Sequence, residues 1–338
     1  MRSLAAQALV VSLLLAYPWV VSPFWATQIG AQPLLLGIIS LSLMFLAGYG
    51  GMVSLAQMTV AGTAGYTVAL LGGAAEGFGL NWPWWVTIPL ALATATAVAT
   101  LIGAISVRTE GIYTIMITLA IAVALFYLAQ QNYTIFNGFD GFKGLRPPDV
   151  FGVNWRDPLP LYYLTLAVAI LSYAVVLYLA RSTFGLALQA IRDNPRRMQA
   201  LGFNVTLHRV LAYTVAGLIA AMGGVLSVWY HGRISPGSIG LGPVIDSLII
   251  AVLGGLRHPV GPFLGAALFV LLQNFAIDFI DRERFNTLIG VVFLAAVLFS
   301  PDGLLGLWDT LRARLRPPRT AWRVSSEVVN RASSRRPA

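Results

Sequence analysis

Few residues in this chain could do chemistry, and their spacing excludes more than it offers. His208, His231 and His258 are its three histidines, and no two stand at metal-ligand spacing. Cysteine is absent, which removes thiolate ligands, disulfides and a cysteine nucleophile. The one lysine, Lys143, follows Phe142. A phosphate-cradling loop needs Gly-Lys-Ser/Thr closing a glycine-framed run. If ATP drives this protein, it is bound with its magnesium on another polypeptide. No catalytic constellation, metal site or cofactor is expected on this chain.

Two isolated polar groups and one cluster remain. Asp246 lies within an apolar stretch, where a carboxylate costs at least about 2.5–3.5 kcal/mol and so needs a partner or a purpose. A cap at a helix break and a place on a path or subunit interface both fit it. Gln57 lies among Gly48, Gly50, Gly51, Ser54, Thr59, Gly62, Thr63 and Gly65. Serine and threonine can bond the preceding helical turn, but glutamine cannot easily do so. An interhelical hydrogen bond and a path-lining role both fit Gln57. The cluster is residues 181–209, with Arg181, Arg192, Arg196, Arg197 and Arg209 against Asp193.

The elements that position these residues belong in lipid. The chain has 338 residues, 57% hydrophobic and 10% charged, with a mean hydropathy of +0.76. Soluble domains carry about 25% charged residues. A helical span needs about 17–25 mostly apolar residues. Ten stretches qualify as candidates: 4–21, 34–48, 52–72, 84–107, 112–131, 161–180, 210–230, 242–256, 260–277 and 285–300. A signal peptide is the alternative for the first. Its run exceeds the usual h-region of about 7–15 residues and no small-x-small site follows, so it reads as a retained helix. The eighth is short enough to be broken or partly re-entrant. The fold class expected is all-α and polytopic, with about ten transmembrane helices and a broken Gly-rich segment. A membrane domain would occupy 1–310, with a punctuated external loop at 132–160. Residues 311–338 would form a basic, disordered cytoplasmic tail.

Ten spans put both termini on one side. Sixteen of the 22 Lys and Arg fall there, against six (Lys143, Arg146, Arg156, Arg233, Arg282 and Arg284) on the other. The positive-inside rule makes the richer side cytoplasmic. The net charge of +9 is not a nucleic-acid footprint, because Trp322 is the one aromatic in the basic tail. Residues 181–209 then lie in the cytoplasm. Phe184, Leu188 and Ile191 share one face of a short helix, capped by Ser182 or Thr183. Asn194 and Pro195 open a second short helix, lined on one side by Met198 and Leu201 and ended by Gly202. Such a pair serves as a docking element or rests on lipid.

Ser182, Phe184, Gly185, Ala187, Leu188, Ala190, Ile191, Arg192, Asp193, Ala200, Leu201, Gly202, Asn204 and Val205 resemble the cytoplasmic loop of LivM-type permease subunits of branched-chain amino acid ABC transporters. Pro195, Arg196 and Arg197 depart from that pattern, as do Leu186 and Gln189. A second stretch, with Gly48, Tyr49, Gly51, Ser54, Leu55, Gly62, Gly65, Tyr66 and Thr67, is similar to the family's interrupted segment near its translocation path. A third, Gly111 to Leu145, follows the family into its external loop, but residues 120–123 read Ala-Ile-Ala-Val where the family often has an acid. A fourth contains Ile234, Ser235, Pro236, Asp246, Ser247, Gly254, Gly255, Gly261 and Gly265.

The resemblance implies an inner-membrane importer subunit that carries branched-chain or other hydrophobic amino acids. Urea, small amides or organic acids are alternative substrates within it. It implies two cytoplasmic ABC ATPases, a second, non-identical permease and an external solute-binding protein. Phe184, Gly185, Leu188, Ala190, Ile191, Arg192, Asp193, Ala200 and Gly202 would couple to the ATPase. Gly51, Ser54, Gln57, Gly62, Tyr66, Asp246, Gly254 and Gly255 would lie on the path. A secondary transporter is the rival of another class, but it usually shows several intramembrane ionisable groups. A membrane enzyme is a weaker rival, since no catalytic constellation is present.

Overall fold

The computed structural model describes residues 12–19, 21–22, 24–72, 79–148, 155 and 157–275, and the single positions 290, 291, 294, 303, 304 and 306. After a helical stretch at 12–19 comes α1, Trp25–Tyr49. The next helices are α2 (Gln57–Gly72), α3 (Trp84–Ser106), α4 (Ile112–Gln131) and α5 (Pro158–Arg181). Two short helices, α6 (Thr183–Asp193) and α7 (Pro195–Ala200), precede the long α8 (Val205–His231). A single 3₁₀ turn, Pro236–Ile239, leads into α9 (Leu241–Gly254), and α10 is Gly261–Phe275. Strands β1 (Phe142–Lys143) and β2 (Arg233–Ile234) form an antiparallel ribbon with Phe142 opposite Ile234.

Six described helices are long and apolar enough to cross a membrane: Trp25–Tyr49, Trp84–Ser106, Ile112–Gln131, Pro158–Arg181, Val205–His231 and Pro236–Gly254. The expected ten are therefore not all found. Half of the stretch at 4–21 lies outside the described residues, as do most of 285–300 and the tail. The expected spans 52–72 and 260–277 correspond to shorter helices, α2 and α10. The external loop is shorter than expected: Pro158 opens α5, since proline's missing N–H costs nothing in the first turn.

The core gathers around α1. Ile38, Leu41, Leu43, Met44, Phe45 and Leu46 are fully buried, and α5, α8, α9 and α10 pack around this helix. Small residues set the closest approaches. Ala91, Ala95 and Ala99 recur every four residues on the buried face of α3, and a Cβ on Gly217 of α8 would strike Ala99. Thr100 and Thr214 join the same two helices through their hydroxyls at 2.9 Å. Such contacts stabilise helix pairs in lipid, where apolar area gives no drive to associate. By contrast α4 carries exposed Ile112, Tyr113, Met116, Tyr127 and Leu128, an apolar face suited to lipid or a second membrane subunit.

Candidate functional site

The arginine-rich stretch folds as two capped helices. Ser182 Oγ accepts from Gly185 N at 3.3 Å, and Asn194 Oδ1 accepts from Arg197 N at 3.0 Å. Gly202, at φ +88°, turns the chain after α7, and Asn204 Oδ1 accepts from Leu207 N at 3.0 Å to start α8. Leu188 and Ile191 are fully buried against the body. Ile191 packs with Ala187, Met198 and Val205, with Ala190 alongside. Phe184 stacks on His208 with ring centres 5.8 Å apart. Gly185 sits where a Cβ would strike the Leu179 carbonyl, and Gln189 Nε2 donates to Ala180 O at 3.1 Å. Thus α6 is bound to the end of α5. Leu201 does not share the side of Met198: it is 67% exposed, whereas Met198 is buried. The outward surface of the loop combines Leu186, Leu201 and Phe203 with Arg196, Arg197, Asp193 and Ala200. Leu186 and Phe203 were invisible as surface residues in the sequence, because periodicity there marks only the inward face.

Arg192 leaves this loop and reaches the membrane segment beneath it. Its Nε donates to Asp193 Oδ1 at 3.0 Å, and its Nη1 donates to the Gly48 carbonyl. Its methylenes lie over Gly51, where any Cβ would meet them. Gly51 has φ +67° and reverses the chain after α1. Residues 51–56 then return without regular helix until α2 begins at Gln57. Irregular backbone survives at membrane depth only where protein satisfies it. Here Met52 N donates to Leu46 O at 3.0 Å, Leu55 N to Thr118 Oγ1 at 3.1 Å, and Ala56 N to Ser54 Oγ at 3.4 Å. Ser42 Oγ donates to Gln57 Oε1 at 3.1 Å, and Gln57 is buried. The interruption expected in the Gly-rich segment is therefore this non-helical return.

The first turns of α2 lead into a cavity of about 480 Å³. Met58, Ala61 and Gly62 of α2 line it with Leu36 and Ile39 of α1 and Gly224 and Val228 of α8. Arg233, Ser235 and Ser238 stand beside Asp246 and Ser247 of α9 and Phe269 of α10. Its size falls within the range of about 300–1,000 Å³ usual for small-molecule pockets. The 27 residues of α8 rise about 40 Å, with the arginine loop at the start of the helix and the cavity along its last two turns. Of the residues expected on a path, Gly62 and Asp246 line this cavity. Ser54 and Gln57 are buried in and beside the irregular return, and Gly51 lies under Arg192. Tyr66 does not line the cavity but packs edge-on against Phe136 and Phe142, at 5.2 and 6.2 Å, in one cluster with the lining residues Val228, Ile234 and Ile239. Gly254 and Gly255 close the α9–α10 turn, where a Cβ on Gly254 would strike the Gly261 carbonyl. Among the described residues no group of His, Asp and Glu is placed to hold a metal ion.

Apolar helices long enough to cross a membrane, a helix that breaks into a non-helical return, a cavity and a capped helical pair make this a multi-pass membrane protein by its architecture. Residues 26–297 match the family described as branched-chain amino acid transport system, permease component, and the chain belongs to that family. It is similar to the high-affinity branched-chain amino acid permease LivM of Salmonella typhimurium, 26% identical over 90% of this chain and 75% of the relative. It is also similar to the permease BraD of Pseudomonas aeruginosa, 29% identical over 46% of this chain and 52% of the relative. The ribose import permease RbsC of Haemophilus influenzae is 22% identical over 72% of this chain and 76% of the relative. No solved structure matches.

Proposed function

We propose that this chain is a membrane-spanning subunit of an ATP-driven importer that carries branched-chain or other hydrophobic amino acids. In this reading it resides in the inner membrane with both termini in the cytoplasm. Two ATPases bind ATP and magnesium, a second, non-identical permease completes the path, and an external binding protein delivers the solute. The family supports the class of system, and the names of the LivM and BraD relatives support the substrate. The absence of a phosphate-binding loop from the sequence supports separate ATPases.

One observation carries the mechanism: Arg192 ties α6 to Gly48 and Gly51, the start of the irregular return whose far end enters the cavity wall. An ATPase seated on the outward face of α6 and α7 would push an element packed rigidly on the end of α5. Through Arg192 that displacement reaches residues 48–56. Their few backbone bonds make them softer than the helices around them. Met58 and Gly62 move with the start of α2 and change the cavity. Four of the other coupling residues act as packing: Phe184, Gly185, Leu188 and Ile191 make α6 move as one body.

Arg192→Glu tests this in the complete importer reconstituted in proteoliposomes. Losing one charge-assisted contact of about 1.5–3 kcal/mol should cut uptake by about tenfold or more. Assembly with the ATPases and their basal hydrolysis should persist. Full uptake by the variant would remove Arg192 from the coupling route.

A further inference from the structure

The cavity wall carries two opposite charges that no described residue pairs. Arg233 is an exposed residue at its rim on β2, and Asp246 is half-buried in the second turn of α9. They line the same space, yet they do not pair with each other. Among the described residues neither side chain has any other hydrogen-bond or ion-pair partner. A partly buried carboxylate without a partner is costly in a membrane protein, so a ligand is the natural complement.

Of the neutral polar groups around it, Gln32 Oε1 is buried without a partner among the described residues, whereas two serines and the histidine are engaged. Ser238 Oγ donates to Ser235 O, Ser247 Oγ donates to Val244 O at 2.8 Å, and His231 Nδ1 donates to Ser227 O at 2.8 Å. A polyol such as a sugar needs many neutral donors and acceptors, and this wall keeps few free. Leu36, Ile39, Val228 and Phe269 supply an apolar surface instead. A cation and an anion without a partner among the described residues, together with an apolar wall, match a molecule carrying an ammonium, a carboxylate and an apolar side chain.

We infer that this cavity is a binding site for a free zwitterionic amino acid, with Asp246 taking the α-ammonium and Arg233 the α-carboxylate. The inference rests on the amino-acid reading above and goes beyond it: selection operates inside this chain as well as in the external binding protein. Arg233 offers the planar fork that grips a carboxylate in two places. With the ligand bound, the two side chains are each matched by an opposite charge, so the half-buried Asp246 carboxylate is not left alone.

The test uses the complete membrane complex in nanodiscs, without binding protein, and measures equilibrium binding of radiolabelled leucine. Isoamylamine, which lacks the carboxylate, and isocaproate, which lacks the ammonium, serve as competitors. In the unaltered complex both should compete at least about tenfold more weakly than leucine, the loss expected for one charge-assisted contact. Asp246→Asn should weaken leucine by a similar factor and bring isocaproate level with it. Arg233→Gln should do the same for isoamylamine. Asp246→Glu and Arg233→Lys should restore part of the affinity, which a purely structural role would not require. Unchanged leucine affinity in both charge-removing variants overturns the inference, as does lost affinity with no change in analogue preference. ATP-dependent uptake with the cognate binding protein separates the two readings. Leucine uptake that is unimpaired in both charge-removing variants leaves the importer standing and removes the site. A complex that imports no amino acid removes both.

Discussion

The two ends of α8 hold their charges differently. At the loop end two of them are fastened to protein, Arg192 to Asp193 and the Gly48 carbonyl and Arg209 Nη1 to Glu110 Oε1 at 3.3 Å, while Arg196 and Arg197 face outward. At the cavity end Arg233 and Asp246 face one space and bind neither each other nor a described neighbour. Exposed ion pairs contribute only about 0–1 kcal/mol, so the loop-end pairs are not there chiefly for stability. What distinguishes Arg192 is its target, a carbonyl at the end of a helix that then unwinds. On the proposed reading, one end transmits displacement and the other accepts a charged molecule. The irregular return at 51–56 lies between them.

The strongest way to break this comparison is to separate the two faces of α6. Ile191 is fully buried beside Met198 and Val205, whereas Leu186 is 59% exposed on the outward side. A polar group buried without a partner costs about 1–3 kcal/mol in proteins, and a charge costs more. Ile191→Asp should therefore deplete folded chain in the membrane, read by size-exclusion chromatography of a fluorescent fusion. Leu186→Asp should leave the folded yield unchanged and weaken capture of the ATPase subunits. Equal loss of folded chain in both would show that α6 has no free face.

A smaller effect sharpens the link between loop and return. Gly51 is held at φ +67° directly under the Arg192 side chain. Alanine in a left-handed conformation costs about 1–2 kcal/mol, and its methyl would also displace Arg192. Gly51→Ala should lower uptake severalfold while ATPase capture stays normal. Combined with Arg192→Ala, its effect should be less than additive, because the two residues share one contact. Strict additivity in the uptake rates would mean that Arg192 and the return act separately.

The fold was most legible where periodicity and cap chemistry agree. Asn194-Pro195 and Gly202 are local signals, and the structure puts the boundaries of α7 there. Expected spans 84–107 and 112–131 coincide with α3 and α4 because apolar length alone defines a helix in lipid. The return at 51–56 was visible as a glycine-rich interruption, but its partners were not: Thr118 lies on α4 and Arg192 on α6, far away in sequence. Of the expected path residues, only Gly62 and Asp246 pointed to the cavity. Arg233 read as an external loop charge, because nothing local reveals that β1 and β2 hold the end of α8 beside α9. Leu201 was misplaced because α7 is too short for periodicity to fix its faces.

The smallest predicted effect concerns the helix caps within the fastened end. At six residues α7 is well below the length of about 12–15 at which isolated helices become marginal. It therefore depends on its cap and on the burial of Met198. Asn194→Ala removes the acceptor for Arg197 N and should cost about 0.5–2 kcal/mol. That cost should fall on α7 alone, since α6 ends before it and Asn204 starts α8 independently. Hydrogen exchange at residues 196–200 should accelerate by about fivefold for a cost near 1 kcal/mol. Ser182→Ala should perturb α6 less, although Ser182 Oγ also donates to Leu179 O at 2.7 Å. The 11 residues of α6 are held by Leu188 and Ile191 as well as by their cap. If Ser182→Ala loosens both helices equally, the two form a single unit, and force applied at α7 would reach Arg192 without loss.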